Sequence, residues 1–346
     1  MFDFDKLPGS ANTQLLLPTS KANSLESERL GPVVSQLVQQ SIAPACPQSQ
    51  PGVSEISRYV NAAIADNTRR AYRQDLADFL QWGGMVPSTS EAVSAYIADR
   101  AQTQTPATLT RRVVGIGRAH VSQGLADPTK SDLVRTVLRG VRRVKGSAQR
   151  QVNPLLKHDL LSMLSCVSGV SGTRDRALLL LGFAAALRRS ELAALTVQDI
   201  EFVREGMVVH LRKSKTDQTA EGRKIGVPLG RHSACPVKSL EQWLACAKIN
   251  AGPIFRPVTR AGQIGDSQLS AQSIALIIKG YAKQIGLDAT KFSGHSLRAG
   301  LVTSAIQAGV PVHKVQAQTG HQSVEMSARY IRDAGLFDGN ASGALL

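Results

Sequence analysis

The stretch that decides the fold is Gly294-His295-Ser296-Leu297-Arg298-Ala299-Gly300, followed by Thr319-Gly320-His321 and, nine residues after that histidine, by Tyr330. His295 and Arg298 are three residues apart, so a helix would place them on one face. Ala299 and Gly300 leave room for a backbone to come close. Arginine binds a phosphate through a planar fork of donors, histidine transfers protons, and a tyrosine hydroxyl is a nucleophile. Each motif alone occurs often by chance. Together they predict a mostly helical site for chemistry on a phosphodiester.

The charge of the chain indicates a polyanionic partner. Forty-one Lys and Arg against twenty-six Asp and Glu give a net charge of +15 and a pI near 10.0. Such a surplus favours nucleic acid binding, although a basic protein without a nucleic acid partner remains open on charge alone. No apolar run approaches the ~20 residues of a membrane span, and the N-terminus resembles no signal peptide. We therefore expect no membrane partner and a cytoplasmic, nucleoid-associated protein.

The four cysteines are scattered along the chain, which argues against a disulfide framework or a zinc cluster. There is no Gly-Lys-Ser/Thr phosphate loop, no complete dinucleotide motif and no carboxylate cluster typical of a two-metal nuclease. We therefore expect neither a cofactor nor a metal.

Composition and periodicity divide the chain into two domains and two tails. Residues 1–53 are rich in Ser, Gln and Pro and predict a disordered tail, and residues 146–151 read as a linker. Residues 54–145 predict a helical DNA-binding domain, with helices over 68–82, from Ser90, over 105–123 and over 131–145. Residues 152–333 predict a catalytic domain, and residues 334–346 a loose C-terminal tail.

The second domain carries the only sheet signal. Residues 207–211 and 224–229 read as strands joined by a polar turn, which predicts a small antiparallel hairpin. Residues 175–187 predict a helix too apolar to face water. The expected fold is therefore mainly α: a helical bundle followed by a mostly α catalytic domain with a small antiparallel β-sheet.

Three basic groups in the first domain are candidates for contact with the DNA backbone. They are Arg69, Arg70 and Arg73; Arg111 and Arg112; and Arg135, Arg139, Arg142, Arg143 and Lys145. A solvated face is the ordinary alternative for such runs. The third group lacks acidic partners four residues away, which favours DNA contact. Contacts of this kind position a protein without specifying a sequence.

Arg188, followed by Glu191, lies about a hundred residues before the opening stretch. With it, the chain resembles the tyrosine recombinase (phage integrase) family, of which Cre and the Xer recombinases are members. The matching residues are Ala186–Leu192, His295–Gly300, Thr319–His321 and Ala328–Tyr330. The resemblance covers about residues 150–335, and more loosely 54–145, where the family has a small helical (SAM-like) core-binding domain. Two positions depart from the common pattern: Thr319 replaces a Leu or Gly, and Arg189 is bulkier than usual.

The resemblance implies a role for each matching residue. Tyr330 would be the nucleophile that forms a 3′-phosphotyrosyl link, and Arg188 and Arg298 would clamp the scissile phosphate. His295 would act in proton transfer, and His321 would hydrogen-bond the phosphate. The family's hairpin lysine matches Lys215 best, with Lys213 as the rival, and Glu191 would support Arg188.

The resemblance further implies a site-specific recombinase that works as a tetramer on two double-stranded DNA sites and exchanges strands through a Holliday junction. Its work would be the integration, excision or resolution of a mobile element, with DNA-bending or directionality proteins as accessory partners. The tail from Ala334 would dock into a neighbouring subunit, with Leu336 and Phe337 as anchors. A type IB topoisomerase and a DNA-binding protein that no longer cuts remain alternatives.

Overall fold

The computed structural model describes residues 63–146, 152–212, 222–230 and 232–320, together with residues 55, 58 and 59. The chain divides into two compact units between residues 149 and 150, inside the segment predicted as a linker. The predicted N-terminal tail, most of that linker and the C-terminal tail lie outside the described residues. Within the described ranges, no helix is both long enough and apolar enough to cross a membrane.

Within the described residues, the first unit contains four α-helices that pack around one core. They are α1 (Asp66–Gln81), α2 (Ser90–Arg100), α3 (Pro106–Ser122) and α4 (Asp132–Lys145). Three of them begin where the sequence predicts, because Thr89, Thr105 and Ser131 each cap a helix by accepting a hydrogen bond from a backbone N–H. Helix α1 begins two residues before its predicted start, and its N-cap, Ala65, makes no such bond.

The core of the first unit is aromatic at its centre. Phe79 and Tyr96 are fully buried, with ring centroids 5.1 Å apart and the rings nearly perpendicular. Helix α4 contributes Val134 and, around it, Val137, Leu138 and Val141. Leu133 and Val144 are instead 44% and 87% exposed, so the packed stripe of α4 is narrow and most of its surface faces solvent.

The second unit contains seven helices and one sheet within the described residues. The helices are α5 (Lys157–Ser165), α6 (Gly169–Ala184), α7 (Arg189–Ala194), α8 (Pro236–Ala247), α9 (Ala271–Gln284), α10 (Ser296–Gln307) and α11 (Val312–Thr319). The predicted apolar helix is α6, which begins six residues before Asp175, because its first turns are polar and give no periodic signal. Its residues Leu178 and Leu181 are fully buried, as predicted.

The predicted hairpin is confirmed, and a third strand precedes it. The strands β1 (Ile200–Val203), β2 (Gly206–Leu211) and β3 (Arg223–Pro228) form an antiparallel sheet in the order β1-β2-β3. In the register, Val209 lies opposite both Ile200 and Ile225. Strand β1 gave no sequence signal, because it is four residues long and its last three side chains are exposed.

Close packing explains Gly300, in helix α10. A Cβ at this position would overlap the carbonyl oxygen of Leu155, whose N–H donates to the Ser296 carbonyl at 2.9 Å. The room that Ala299 and Gly300 were predicted to leave for a backbone is therefore filled by this chain's own backbone. That contact joins the beginning of the second unit to the helix that follows His295.

We predict that Gly300→Ala lowers the free energy of unfolding of the second unit by about 2–3 kcal/mol, because the methyl group forces Leu155 away from α10. The chain has two tryptophans, so in a Trp82→Phe background the buried Trp243 alone reports on the second unit during a urea titration. Gly280→Ala in α9 is the matched control. A Cβ there meets open space, so we expect a gain of about 0.5–1 kcal/mol from helix propensity. Equal effects of the two substitutions would contradict the packing argument.

Candidate active site

Arg188 is held in place by a buried carboxylate one turn further along the chain. It occupies the N-cap of α7, and its backbone N–H donates to Glu191 Oε2 at 2.8 Å. Its side chain also reaches Glu191, with Nη1 donating to Oε1 at 2.7 Å. The same carboxylate therefore fixes both the backbone and the guanidinium of Arg188. This geometry agrees with the supporting role expected of Glu191.

Arg298 connects two segments that are distant in sequence. It is almost completely buried in α10, where Nη1 donates to the Ala186 carbonyl and Nη2 to the Thr319 carbonyl, each at 2.7 Å. Ala186 has a left-handed backbone with φ of 51°, a conformation that costs a non-glycine residue ~1–2 kcal/mol. This turn directs its carbonyl to Arg298 two residues before Arg188. The hydrogen bond from Arg298 to the Ala186 carbonyl therefore brings the segment that contains Arg188 next to Arg298, the other predicted clamp arginine.

His295 lies at the N-cap of α10, one turn before Arg298, with an exposed side chain. Its backbone N–H donates to Ser293 Oγ at 3.1 Å. A Cβ on the preceding Gly294 would lie 2.5 Å from Cδ of Arg189. The bulky Arg189, a departure from the usual family pattern, is thus accommodated by a glycine. His295 and Arg298 were predicted to share one face of a helix; the structure places His295 at the N-cap with an exposed side chain, whereas the Arg298 side chain is buried in the core.

Sequence reasoning missed Arg223, the first residue of β3. Its Nη1 donates to the Gln318 carbonyl at 3.0 Å, and its guanidinium lies over Gly320, which has a left-handed φ of 67°. Burial lowers the pKa of Arg223 below its ordinary value; the charge of Glu191 opposes that shift and the charge of Arg188 adds to it. The strand alternation carries a signal that could have found it, because Arg223 shares a face with the buried residues Ile225 and Val227.

Four of the predicted catalytic candidates lie outside the described residues: Lys215, its rival Lys213, His321 and Tyr330. The described chain borders the lysine segment on both sides and ends at residue 320, just before His321. Before the lysine segment, Arg212 Nε forms an ion pair with Asp199 Oδ1 at 2.8 Å, and after it Arg223 begins β3.

Arg111 and Arg112, two of the candidate DNA-contacting residues, each pair with a carboxylate of helix α1. Arg112 is only 12% exposed and pairs with Asp78, which also accepts hydrogen bonds from Tyr96 at 2.8 Å and Arg100 at 3.0 Å. Burial raises the pKa of Asp78, but these hydrogen bonds and the Arg112 charge outweigh it and leave that pKa lowered. Arg111 pairs with the buried Asp75 at 3.0 Å. Arg112 therefore stabilises the fold, which differs from the prediction of a surface contact.

The other candidates lie nearer the surface. Arg139 donates to Thr136, Arg142 to Thr110, and Lys145 to the carbonyls that follow α2. Arg135 pairs with Asp132 at 2.6 Å, an acidic partner three residues before it rather than four residues away. Of the remaining candidates, Arg69 is half-buried, and the others are exposed: Arg70, Arg73 and Arg143. Helix α4 thus presents most of its basic residues to solvent.

Comparison with known proteins identifies the family. The sequence model of the phage integrase family matches residues 147–335. The chain belongs to the phage integrase family. The integrase/recombinase XerD homolog of Selenomonas ruminantium is 39% identical to this integrase-family chain over 295 residues, which are 82% of this chain and 86% of the relative. The tyrosine recombinase XerD of Xanthomonas axonopodis pv. citri is 26% identical over 291 residues, or 79% of this chain and 88% of that protein.

Solved structures of recombinases share the fold of this member of the phage integrase family. The XerH site-specific recombinase, bound to palindromic difH substrate in a post-cleavage complex, matches with a TM-score of 0.60 at 15% identity, covering 89% of this chain and 92% of XerH. A lambda integrase dimer bound to a COC′ core site matches with a TM-score of 0.56 at 19% identity, covering 82% of this chain and 95% of that one. These matches confirm the predicted fold class.

We predict that Glu191→Gln lowers the free energy of unfolding of the second unit by about 2 kcal/mol. The amide retains the size of the carboxylate but turns an N–H₂ toward one of the two Arg188 donors, so a charge-assisted hydrogen bond is lost. Trp243 fluorescence in the Trp82→Phe background measures the effect. The matched control is Glu241→Gln on the exposed side of α8, which should change the stability by less than about 0.5 kcal/mol. Equal stability of the two variants would refute the dual role of Glu191.

Proposed function

We propose that this integrase-family protein cuts and rejoins double-stranded DNA at specific recombination sites, with Tyr330 as the nucleophile. The assignment of the site rests on the two hydrogen bonds that Arg298 donates to backbone carbonyls. One buried guanidinium joins the carbonyl two residues before Arg188 to the carbonyl two residues before His321. Segments that are more than a hundred residues apart are thereby held at one place, as a shared phosphate would require.

In the proposed reaction, one phosphodiester bond of the DNA is exchanged for a phosphotyrosyl bond and is later restored. The Tyr330 oxygen attacks phosphorus and its proton leaves with the help of His295, while the bond to the 5′ oxygen breaks and that oxygen takes a proton from Lys215 or its rival Lys213. Arg188 and Arg298 stabilise the charge that grows on the non-bridging oxygens, and His321 hydrogen-bonds the same phosphate. Attack by the 5′ hydroxyl of another strand reverses the step. The phosphotyrosyl bond conserves the energy, so neither ATP nor a metal is needed.

The proposed assembly is a tetramer on two DNA sites that passes through a Holliday junction. Support comes from relatives of the same fold, since XerH was solved on its difH substrate and lambda integrase as a dimer on a core site. The tail from Ala334, with Leu336 and Phe337, would dock into a neighbouring subunit. Accessory DNA-bending or directionality proteins, a mobile element as the genetic context and a cytoplasmic, nucleoid-associated location complete the proposal.

We predict that the parent protein, but not Tyr330→Phe, becomes covalently attached to DNA. A duplex pool of random sequence, enriched by repeated binding to the full chain, supplies the site, and a nicked duplex of the selected sequence traps the intermediate. Denaturing electrophoresis then detects the protein–DNA adduct. Because Phe lacks only the hydroxyl, the variant should still bind the same duplex.

Attachment of the Phe variant would refute the assignment of Tyr330. If the parent itself forms no adduct, the chain only binds DNA. Relaxation of a supercoiled plasmid without strand exchange between two selected sites would favour the topoisomerase alternative.

We predict that two arginines of the first unit have separable effects. Arg139→Gln removes an exposed charge and should reduce the slope of log affinity against log salt by about 0.9, the share of one phosphate contact. Arg112→Gln removes one of the three donors to Asp78 and should instead lower the stability of the first unit by about 2 kcal/mol, with little change in that slope. Fluorescence anisotropy with the selected duplex measures the first, and Trp82 in a Trp243→Phe background the second. Equal salt slopes for both variants would contradict the division.

A further inference from the structure

Arg189 lies beside two segments of the candidate site. It follows Arg188 as the first residue of α7. Its side chain covers Gly294, the residue before His295: a Cβ on that glycine would lie 2.5 Å from Cδ, 2.7 Å from Cγ and 2.8 Å from Cβ of Arg189. Arg189 therefore belongs to the segment of Arg188 and packs on the segment of His295.

The glycine beneath Arg189 is required by space and not by backbone conformation. Gly294 is buried and does not have the positive φ that favours glycine. What leaves no room for a larger residue is the stem of Arg189, whose carbons would lie less than 3 Å from any Cβ. The residue next to His295 therefore has no side chain, and the stem of an arginine occupies that place.

The guanidinium of Arg189 carries a charge that the described chain does not balance. Arg189 is exposed, and because its first three side-chain carbons lie against Gly294, that exposure falls mainly on the guanidinium. Among the residues that the structure describes, it has neither an ion pair nor a hydrogen bond. The nearest carboxylate along the chain, that of Glu191, uses both oxygens to bind Arg188.

A purely structural role, as a cover for Gly294, explains the stem of Arg189 but not its charge. Long charged side chains often cover a surface with the stem and leave the head in water. A methionine would cover the glycine as well, and its helix propensity is similar. It would also avoid a second cation beside Arg188, which that arginine repels. An anion supplied by a partner gives the charge a purpose.

The proposed DNA partner offers anions at a regular spacing. Successive phosphates of one strand are about 3.4 Å apart along the helix axis. Consecutive residues of a helix do not face the same way, and here Arg188 is directed to Glu191 whereas Arg189 is directed over Gly294. The two guanidinium groups therefore point to different places. A phosphate bound by Arg188 leaves Arg189 for the phosphate next to it.

We propose that Arg189 binds a DNA phosphate adjacent to the scissile phosphate and so fixes the strand relative to the arginine clamp. This inference rests on the proposed function, because the cut bond defines which phosphate is adjacent. A contact of this kind adds affinity and orientation without specifying a base.

The test combines a neutral residue with a neutral phosphate. Arg189→Met keeps a stem over Gly294 and removes the charge. In the selected duplex, a methylphosphonate replaces one phosphate at a time and removes its charge, and the position of the parent's protein–DNA adduct marks the scissile phosphate. Fluorescence anisotropy gives the affinity of parent and variant for each duplex. A direct contact appears as coupling, in which both changes together cost no more than either change alone.

We expect Arg189→Met to weaken binding by about 3–10-fold, between the effect of an exposed ion pair and that of a charge-assisted hydrogen bond. The slope of log affinity against log salt should fall by about 0.9. A methylphosphonate at one adjacent phosphate should weaken binding by the parent equally and leave the variant's affinity unchanged. Arg189→Lys keeps the charge and should restore most of the salt slope. The urea midpoint of Arg189→Met, from Trp243 in the Trp82→Phe background, should equal that of the parent.

The matched control is Arg260→Met, which removes an exposed arginine at the other end of α6. A Cβ on Gly262, two residues after Arg260, would lie 3.7 Å from Val170 at the beginning of that helix, whereas Arg188 follows its end. The 16 residues of α6 separate the two places by about 24 Å. We expect this variant to keep the parent's affinity and salt slope and to show no coupling at any phosphate.

The outcomes separate this inference from the proposed function. Additive losses at every phosphate would refute the contact, and partial unfolding does not imitate coupling, because it weakens binding to all duplexes alike. Coupling at the scissile phosphate itself, or only at a distant one, would overturn the adjacent position. If the parent forms no adduct, the proposed function fails. The affinity scan needs no cleavage, so coupling at one phosphate would then still support a phosphate contact of Arg189, and coupling at none would refute it.

Discussion

The candidate site depends on the hydrogen bonds that one buried arginine donates to two backbone carbonyls. Arg298 reaches the carbonyls of Ala186 and Thr319 with its two terminal nitrogens, each at 2.7 Å. Because the guanidinium is planar and rigid, the two acceptors are held at a fixed separation. A lysine could not do this with its single nitrogen. The residue implied to bind the scissile phosphate is therefore also the one that assembles the segments around it.

Small residues near the site have their explanation in the chain itself. Gly294 lies under Arg189, Gly300 under the Leu155 carbonyl, and Gly320 under the Arg223 guanidinium. Ala186 adopts a left-handed conformation despite its Cβ. The hydrogen bond that Arg298 donates to its carbonyl offsets the energetic cost of this conformation. Strain of this kind persists only where the surroundings over-determine it. The room that Ala299 and Gly300 were predicted to leave for a backbone is thus used by the close packing of the protein itself.

The sequence was informative where one local pattern specified one local structure. Capping residues such as Thr105 and Ser131 gave helix starts, and strand alternation gave the hairpin, because these signals act over a few residues. It was uninformative where tertiary contacts decide. The partner of Arg112 is Asp78, thirty-four residues away, and the partner of Arg223 lies ninety-five residues away. Charge alone could not separate an arginine of the interior from one of the surface.

The attachment of Leu155 to helix α10 has a mechanical consequence. The first residues of the second unit are tied to the beginning of the helix that carries Arg298: Asn153 N–H donates to the Lys291 carbonyl at 2.8 Å, and Leu155 N–H to that of Ser296 at 2.9 Å. A force applied at residues 153–155 is thus transmitted through these two hydrogen bonds to the beginning of α10 and to the residues just before it. Residues 153–155 therefore cannot be displaced from the second unit without disturbing the beginning of the helix that carries Arg298.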